Sequence, residues 1–193
     1  MPLKLSKRLI LASNSPRRRE IMENAGFVFS KEVRETDENF SERMDLESVA
    51  SYLAEQKAKE FLKDNSDAIV LCADTVVICD GEIMNKPQDA IEAQEMLLKL
   101  SGKAHEVITG VAILLDGEIE SFSDKTIVTF KHLNNNEIEY YIQECKPYDK
   151  AGGYGIQEFI GMIAIEKLEG SFYTVMGLPI HKVYEKLKPY LLF

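Results

Sequence analysis

The sequence predicts an α/β domain that borders on α+β, with a mixed sheet flanked by helices. Long apolar runs of strand type alternate with segments of helical period, the pattern of a layered sheet-and-helix domain. Two Asp-Gly pairs, Asp80-Gly81 and Asp116-Gly117, each follow one apolar run and precede another, which marks hairpins and argues against a wholly parallel sheet. The chain has 193 residues, 45% hydrophobic and 28% charged, as one ordinary domain would be.

Each element has a local reason. Arg8–Ala12 reads as a short buried strand. Ser15 then supplies a helix N-cap and Pro16 a first helical position, for a helix running to Asn24 and stopped at Gly26. Phe27–Val33 is expected to be a second strand, and Asp45–Lys63 has clear helical periodicity. Ala68–Asp80 is a strand-like run turning at Asp80-Gly81 into Glu82–Met84. Gln88–Leu100 reads as a helix ended by Ser101-Gly102, and His105–Leu115 pairs with Glu118–Lys131 across Asp116-Gly117. Asn134–Glu144 follows as a helix, then a glycine-rich stretch at Ala151–Gly155, an expected strand at Phe159–Glu166 and a last helix at Leu178–Leu187. There is no repeat, low-complexity segment or interdomain linker, so 1–193 reads as a single domain.

Composition excludes several classes of function. No apolar run approaches the roughly 18–20 residues of a membrane helix, and Met1–Leu11 has basic residues but no apolar core before a cleavage site; no membrane partner and a cytoplasmic location are expected. Cys72, Cys79 and Cys145 have no metal spacing and read as buried small hydrophobes, and the three histidines are scattered. The formal net charge is −9, unsuited to non-specific nucleic-acid binding. Yet Met1–Glu20 holds six basic residues and one acidic, against 17 and 31 in the remainder. A basic island in an acidic protein fits a compact anion.

Four places break local rules. Arg17, Arg18 and Arg19 fill the first turn of a helix, where the dipole prefers acidic residues; a bound anion would remove the conflict, and a solvated basic turn is the alternative. Lys57 falls near the centre of the apolar stripe Leu46, Val49, Ala50, Leu53, Ala54 and Phe61, so it either snorkels outward or meets a buried anion. Asp74 interrupts the run Val70–Ile78, where a carboxylate must be paired, bind metal or take up a proton, unless it caps a turn at a bulge. Three glycines in Gly152–Gly155 permit close backbone approach to a ligand, or merely a tight turn. Together they describe a polyanion site with Arg17, Arg18, Lys57 and Lys86 as basic groups and a metal-capable carboxylate, an inventory suited to phosphoanhydride chemistry.

The sequence Leu9-Ile10-Leu11-Ala12-Ser13-Asn14-Ser15-Pro16-Arg17-Arg18 resembles the opening signature of the Maf family of nucleoside triphosphate pyrophosphatases. Further blocks resemble that family in order: Leu53–Ala58, Ala73–Val77, Lys86–Asp89, Met96–His105, Asp149–Gln157 and Val175–Pro179. The resemblance implies an elongated Maf/ITPase-like sheet with the ligand in a central cleft, and hydrolysis of a nucleoside triphosphate to the monophosphate and pyrophosphate with Mg²⁺ or Mn²⁺. It assigns Asp74 as proton acceptor and metal carboxylate. An acidic residue after the second strand assists; Asp37 is the best match, while Glu35 and Glu38 fit the same role. Lys57 joins these as catalytic, and Ser13, Ser15, Arg17, Arg18 and Lys86 as substrate-binding. The set Arg17, Thr75 and Gln157 is similar to the subgroup acting on dTTP and UTP. Glu158 departs from the pattern, standing where glycine is common.

The expected function is therefore a pyrimidine nucleoside triphosphate pyrophosphatase serving nucleotide house-cleaning, and the resemblance implies a homodimer. Two other readings are a pyrophosphatase for non-canonical purine nucleotides, and a nucleotide-binding regulator of septum formation that does not turn its ligand over.

Overall fold

Apolar runs set the strands of this protein, and glycine, proline and short polar residues set where they stop. The structure, a computed structural model, describes residues 2–41, 43–64 and 67–192. In chain order its elements are β1 (Lys4–Leu5), β2 (Arg8–Leu11), α1 (Pro16–Asn24), β3 (Ser30–Lys31), α2 (Leu46–Lys59), β4 (Ala68–Cys79), β5 (Glu82–Met84), α3 (Ala90–Leu100), β6 (Ala104–Leu115), β7 (Glu118–Phe130), α4 (Asn135–Cys145), α5 (Phe159–Ala164), β8 (Ile165–Glu169), α6 (Phe172–Met176), α7 (Ile180–Leu187) and β9 (Leu191–Leu192). The chain forms two compact units. The first comprises Met1–Asp74, Thr109–Asp124 and Gly177–Phe193; the second comprises Thr75–Ile108 and Lys125–Met176. Among the described residues, no helix is long and apolar enough to cross a membrane.

In the first unit the strand order is β3-β2-β4-β6-β7. Strand β2 runs parallel to β3, with Ile10 opposite Ser30, and parallel to β4, with Arg8 to Leu11 opposite Ala68 to Leu71. Its core gathers Ile10, Val70 and Cys72 with Ala54, Ala58 and Phe61 from α2 and the turn after it, and with Ala112 and Leu114 from β6. Gly110 decides how closely α2 lies on β6. A β-carbon there would fall 2.2 Å from the backbone carbon of Ala50, so any other residue would push the helix away. Lys57 is two helical turns beyond Ala50 on the same face, and its height over the sheet depends on that contact. The hairpin turn at Asp116-Gly117 has φ of 52° and 83°, the positive pair that a two-residue turn between twisted strands requires.

In the second unit the order is β4-β6-β7-β8, with β5 paired to β4. Strand β5 is antiparallel to β4, Val77 opposite Met84, across Asp80-Gly81. The core packs Leu97 and Leu100 of α3 and Ile138 and Tyr141 of α4 with Val128, Phe130 and Ile160. Both helices start as their sequences dictate. The Asp89 carboxylate accepts from Ile91 N and Glu92 N at 2.9 Å each, and Asn134 with Glu137 forms a complete capping box. A mixed sheet flanked by helices is the arrangement the sequence predicts.

Three expectations fail. Phe159–Glu166 is a helix, α5, followed by β8, which pairs antiparallel with β7. A β-carbon at Gly161 would lie 1.9 Å from the Ile156 carbonyl oxygen, so this glycine lets the helix sit directly on the preceding chain. Phe27–Val33 contributes only Ser30–Lys31 as strand, because Phe27 N is bonded to Met22 O at the end of α1. The last helix begins at Ile180, after Pro179. The terminal pairing of β1 with β9, Lys4 opposite Leu192, has no local signal.

His105, on β6 in the second unit, is 2% exposed, with Nε2 hydrogen-bonded to the Tyr154 hydroxyl at 2.8 Å and the ring edge-on to Phe130. Burial pulls its pKa down from 6.5 to about 4. The unfolded chain therefore binds the extra proton first, so this contribution to stability is present above pH 6.5 and is lost as pH falls towards 4. Urea unfolding at pH 7 and pH 4.5 is expected to show the native protein losing about 2 kcal/mol more than a His105→Gln variant.

Candidate active site

The first unit assembles its polar residues around the start of α1. Ser15 caps the helix, its hydroxyl accepting from Arg18 N at 3.4 Å, and its own N–H donates to the buried Ser13 hydroxyl at 3.2 Å. Pro16 holds the first helical position and no acidic residue enters the first turn. Arg18 turns inward. Its Nε donates to Gly177 O at 2.8 Å, and its Nη1 to Ala73 O at 2.9 Å and the Ser13 hydroxyl at 3.3 Å. Burial pulls the guanidinium pKa down, and the neighbouring Asp74 charge opposes that pull. Arg17 is half-buried; Arg19 is exposed and pairs with Glu23 at 2.7 Å.

Lys57 meets an anion, one of the two outcomes its place on the apolar stripe allows. Val49, Ala50, Leu53, Ala54 and Ala58 of α2 are buried around that face, and the Lys57 side chain is 18% exposed. Its Nζ lies 2.5 Å from Asp74 Oδ1 and 2.8 Å from Glu38 Oε1. Burial works against the ammonium, but the two carboxylates outweigh it and hold the Lys57 pKa above the ordinary lysine range. Asp74 sits where β4 leaves the first unit, with its side chain 16% exposed. One lysine thus holds together two hard carboxylates, next to a basic helix start.

Of the three acidic candidates after the second strand, Glu38 is the one that reaches Lys57. Asp37 is exposed and its carboxylate accepts from Asn39 N at 3.0 Å; Glu35 is also exposed. The family resemblance ranks Asp37 ahead of Glu38, and residues 32–40 have no regular structure and hence no period to distinguish them; Glu38 is itself exposed, and only its bond to Lys57 singles it out. Among the described residues there is no cluster of three His, Cys, Asp or Glu fit to hold a metal. Two carboxylates alone suit Mg²⁺ or Mn²⁺, which commonly take one or two protein carboxylates and complete their shell with phosphate oxygens and water.

Thr75, Lys86 and Gln157 belong to the second unit. There the glycine-rich loop is tied to the Lys86 segment: Gly152 N donates to Asn85 O at 3.1 Å, and Gly153 lies against Pro87. Lys150, 7% exposed, bonds to Asp149 at 2.7 Å and to Glu158 at 3.0 Å. Tyr141 donates its hydroxyl proton to Glu158 and accepts from Gly155 N at 3.0 Å. Glu158, where the Maf pattern favours glycine, is therefore neutralised in place. Gln157 is half-buried, and its buried Oε1 has no hydrogen-bond partner among the described residues. A buried amide acceptor left unmade is costly, and a ligand donor would satisfy it.

Residues 8–190 match the family of Maf-like proteins. A dTTP/UTP pyrophosphatase of Porphyromonas gingivalis is 46% identical over 187 residues, covering 95% of this chain and 94% of that one. The dTTP/UTP pyrophosphatase of Bacillus velezensis is 44% identical, covering 96% and 98%, and that of Thermosipho africanus 48%, covering 93% and 92%. Among solved structures, the Staphylococcus aureus Ham1 protein aligns over 64% of this chain and 72% of that chain with a TM-score of 0.44 and 17% identity, too distant to argue from.

Three bonds from one guanidinium to the Ala73 and Gly177 carbonyls and Ser13 make Arg18 a brace of the site as well as a charge in it. Arg18→Lys keeps the charge but not the fork. It is expected to cost about 2 kcal/mol in urea unfolding, from lost charge-assisted hydrogen bonds.

Proposed function

Since the chain belongs to the Maf family, we propose that it hydrolyses nucleoside triphosphates, dTTP and UTP foremost, to the monophosphate and pyrophosphate. The carrying observation is the Asp74–Lys57–Glu38 constellation beside the basic start of α1. In this reading the triphosphate lies against Ser15, Arg17 and Arg18; Lys86 is assigned to the substrate by the family resemblance alone. Asp74 takes a proton from the attacking water as its oxygen bonds to the α-phosphorus. The bond from that phosphorus to the α,β-bridging oxygen breaks, and the leaving pyrophosphate carries away the electron pair, its charge countered by Lys57 and the arginines.

Asp74 and Glu38 are the residues that would hold Mg²⁺ or Mn²⁺, with Glu38 preferred over Asp37 because it shares Lys57 with Asp74. A bound divalent ion would supply charge neutralisation to the phosphates. Gln157 offers the base an acceptor for the N3–H that thymine and uracil possess and cytosine lacks; the unpartnered Oε1 supports this assignment. Thr75 is placed at the substrate by the family resemblance alone. That resemblance also supports a homodimer, which light scattering of the purified protein reads directly.

Pyrophosphate and orthophosphate release from dTTP, UTP, CTP, dITP, ATP, GTP and 7-methyl-GTP, with Mg²⁺ or Mn²⁺ and with chelator, tests the reading. Chelator-sensitive pyrophosphate from dTTP and UTP is expected. Asp74→Asn should lower kcat about a thousandfold while nucleotide still binds, and Glu38→Gln should lose more than Asp37→Asn. Folded protein that releases nothing from any of them would remove the enzymatic reading and leave nucleotide-dependent regulation. Release from dITP above dTTP would favour the purine alternative.

A further inference from the structure

The stretch that carries Glu38 has no regular backbone structure. After β3, Glu32 N still bonds to Leu11 O, but residues 33–40 belong to no helix or strand. Something other than a ladder must fix where Glu38 stands. Arg34 lies four residues before it, and its guanidinium is filled on two sides. Nε and Nη2 grip the Glu32 carboxylate at 3.3 and 2.8 Å. Nη1 donates to the carbonyl of Glu60 at 2.6 Å and to Asp64 Oδ2 at 3.0 Å, and the guanidinium carbon stands 4.3 Å from the centre of the Phe61 ring.

Glu60 is the C-cap residue of α2, so the bond lands on one of the carbonyls that a helix end leaves without an intrahelical donor. A cation there also complements the negative end of the helix dipole. Phe61, beneath the guanidinium, is 1% exposed and belongs to the core of the first unit. Arg34 thus caps α2 from another segment and lies over a ring buried in the core. One turn back along the same helix is Lys57, which Glu38 grips at 2.8 Å. The irregular stretch is therefore fastened to the last turns of α2 at two points, one by Arg34 and one by Glu38.

We propose that Arg34 is a positioning residue for the reaction: by capping α2 at Glu60 and stacking on Phe61, it fixes residues 33–39 so that Glu38 meets Lys57 and Asp74. This rests on the pyrophosphatase reading for its kinetic consequence, but its structural part stands apart from it. The fork geometry is essential. A lysine at position 34 keeps the charge yet cannot bond Glu32, the Glu60 carbonyl and Asp64 from one rigid plane while stacking on Phe61.

The test is a double-mutant cycle between Arg34→Met and Glu38→Gln, read by steady-state dTTP turnover over a Mg²⁺ series and by hydrogen–deuterium exchange of the nucleotide-free protein. Arg34→Met is expected to speed amide exchange in residues 33–39 about tenfold without changing α1. It should lower kcat about fivefold, raise the Mg²⁺ concentration needed for half activity, and leave KM for dTTP at saturating Mg²⁺ within twofold. In the Glu38→Gln background the same substitution should change kcat less than twofold, because the residue it acts through is gone. Arg34→Lys should behave as Arg34→Met does, and it serves if the methionine variant fails to fold. Equal fold losses in both backgrounds, or unchanged exchange in residues 33–39, overturn the proposal. If the native protein turns over no nucleotide, the functional reading and the kinetic claim fall together, while the exchange measurement still decides whether Arg34 holds the segment.

Discussion

The first unit is arranged around one ammonium group placed where an apolar side chain would pack. Lys57 stands on the core-facing stripe of α2, between buried Leu53, Ala54 and Ala58, and answers its burial with Asp74 and Glu38. As a source of stability this is a poor choice, since desolvating such charges offsets most of their attraction, and hydrophobic replacements of buried ion pairs are often neutral or stabilising. A fold that keeps the charges gains something else: a lysine and an aspartate held at a fixed distance and largely shielded from water, with the more exposed Glu38 closing the group. The surrounding structure serves that end. Gly110 lets α2 approach the sheet, β4 brings Asp74 to the lysine, and Arg34 fastens the end of the helix and the segment that carries Glu38.

Apparent clusters in the sequence separate into different tasks in the structure. The run Arg17-Arg18-Arg19 looks like one anion site, and the helix dipole makes it an expensive arrangement without a ligand. Arg18 reaches inward to the Gly177 and Ala73 carbonyls, and Arg19 pairs along the exposed face of α1 with Glu23. What concentrates charge at the helix start is therefore partly a structural brace. The second unit shows the converse. Lys150 and Glu158 flank glycines that read as either a ligand contact or a tight turn, and they bond to one another, with Tyr141 joining them. The orphaned acceptor in that loop is on Gln157.

Elements with a stop signal or a sustained period were legible in the sequence. Ser15-Pro16 opens α1, Asn134 opens α4 with a capping box, and both Asp-Gly pairs turn with positive φ. Phe159–Glu166 was not, because a short apolar run has no period of its own, and nothing in the pattern shows that Gly161 packs on the Ile156 carbonyl five residues back. The division into two units was equally hidden. It falls inside β4, β6 and β7 rather than in a linker, so composition does not change where the chain passes from one unit to the other. Lys57 and Asp74 stand out in the sequence because each violates a hydrophobic pattern, and a violation is visible only against a regular element. Glu38 had no such background.

That difference bears on how the site can be tuned. Asp74 and Lys57 are built into β4 and α2, whose backbones are fixed by ladders and helical bonds, and moving either would disturb a core. Glu38 is carried on a stretch whose order depends on side chains. Arg34, Glu32 and Asp64 are exposed or half-buried, and bonds of that kind are individually modest and easily exchanged. The same stretch also loses more conformational entropy on being held than a strand already committed to a sheet, so its grip on Lys57 is the weaker of the two. A fold built this way separates what must stay constant, the lysine–aspartate pair, from what can change by single surface substitutions. The position of the second carboxylate is then set by the strength of an arginine cap some distance from any reacting atom.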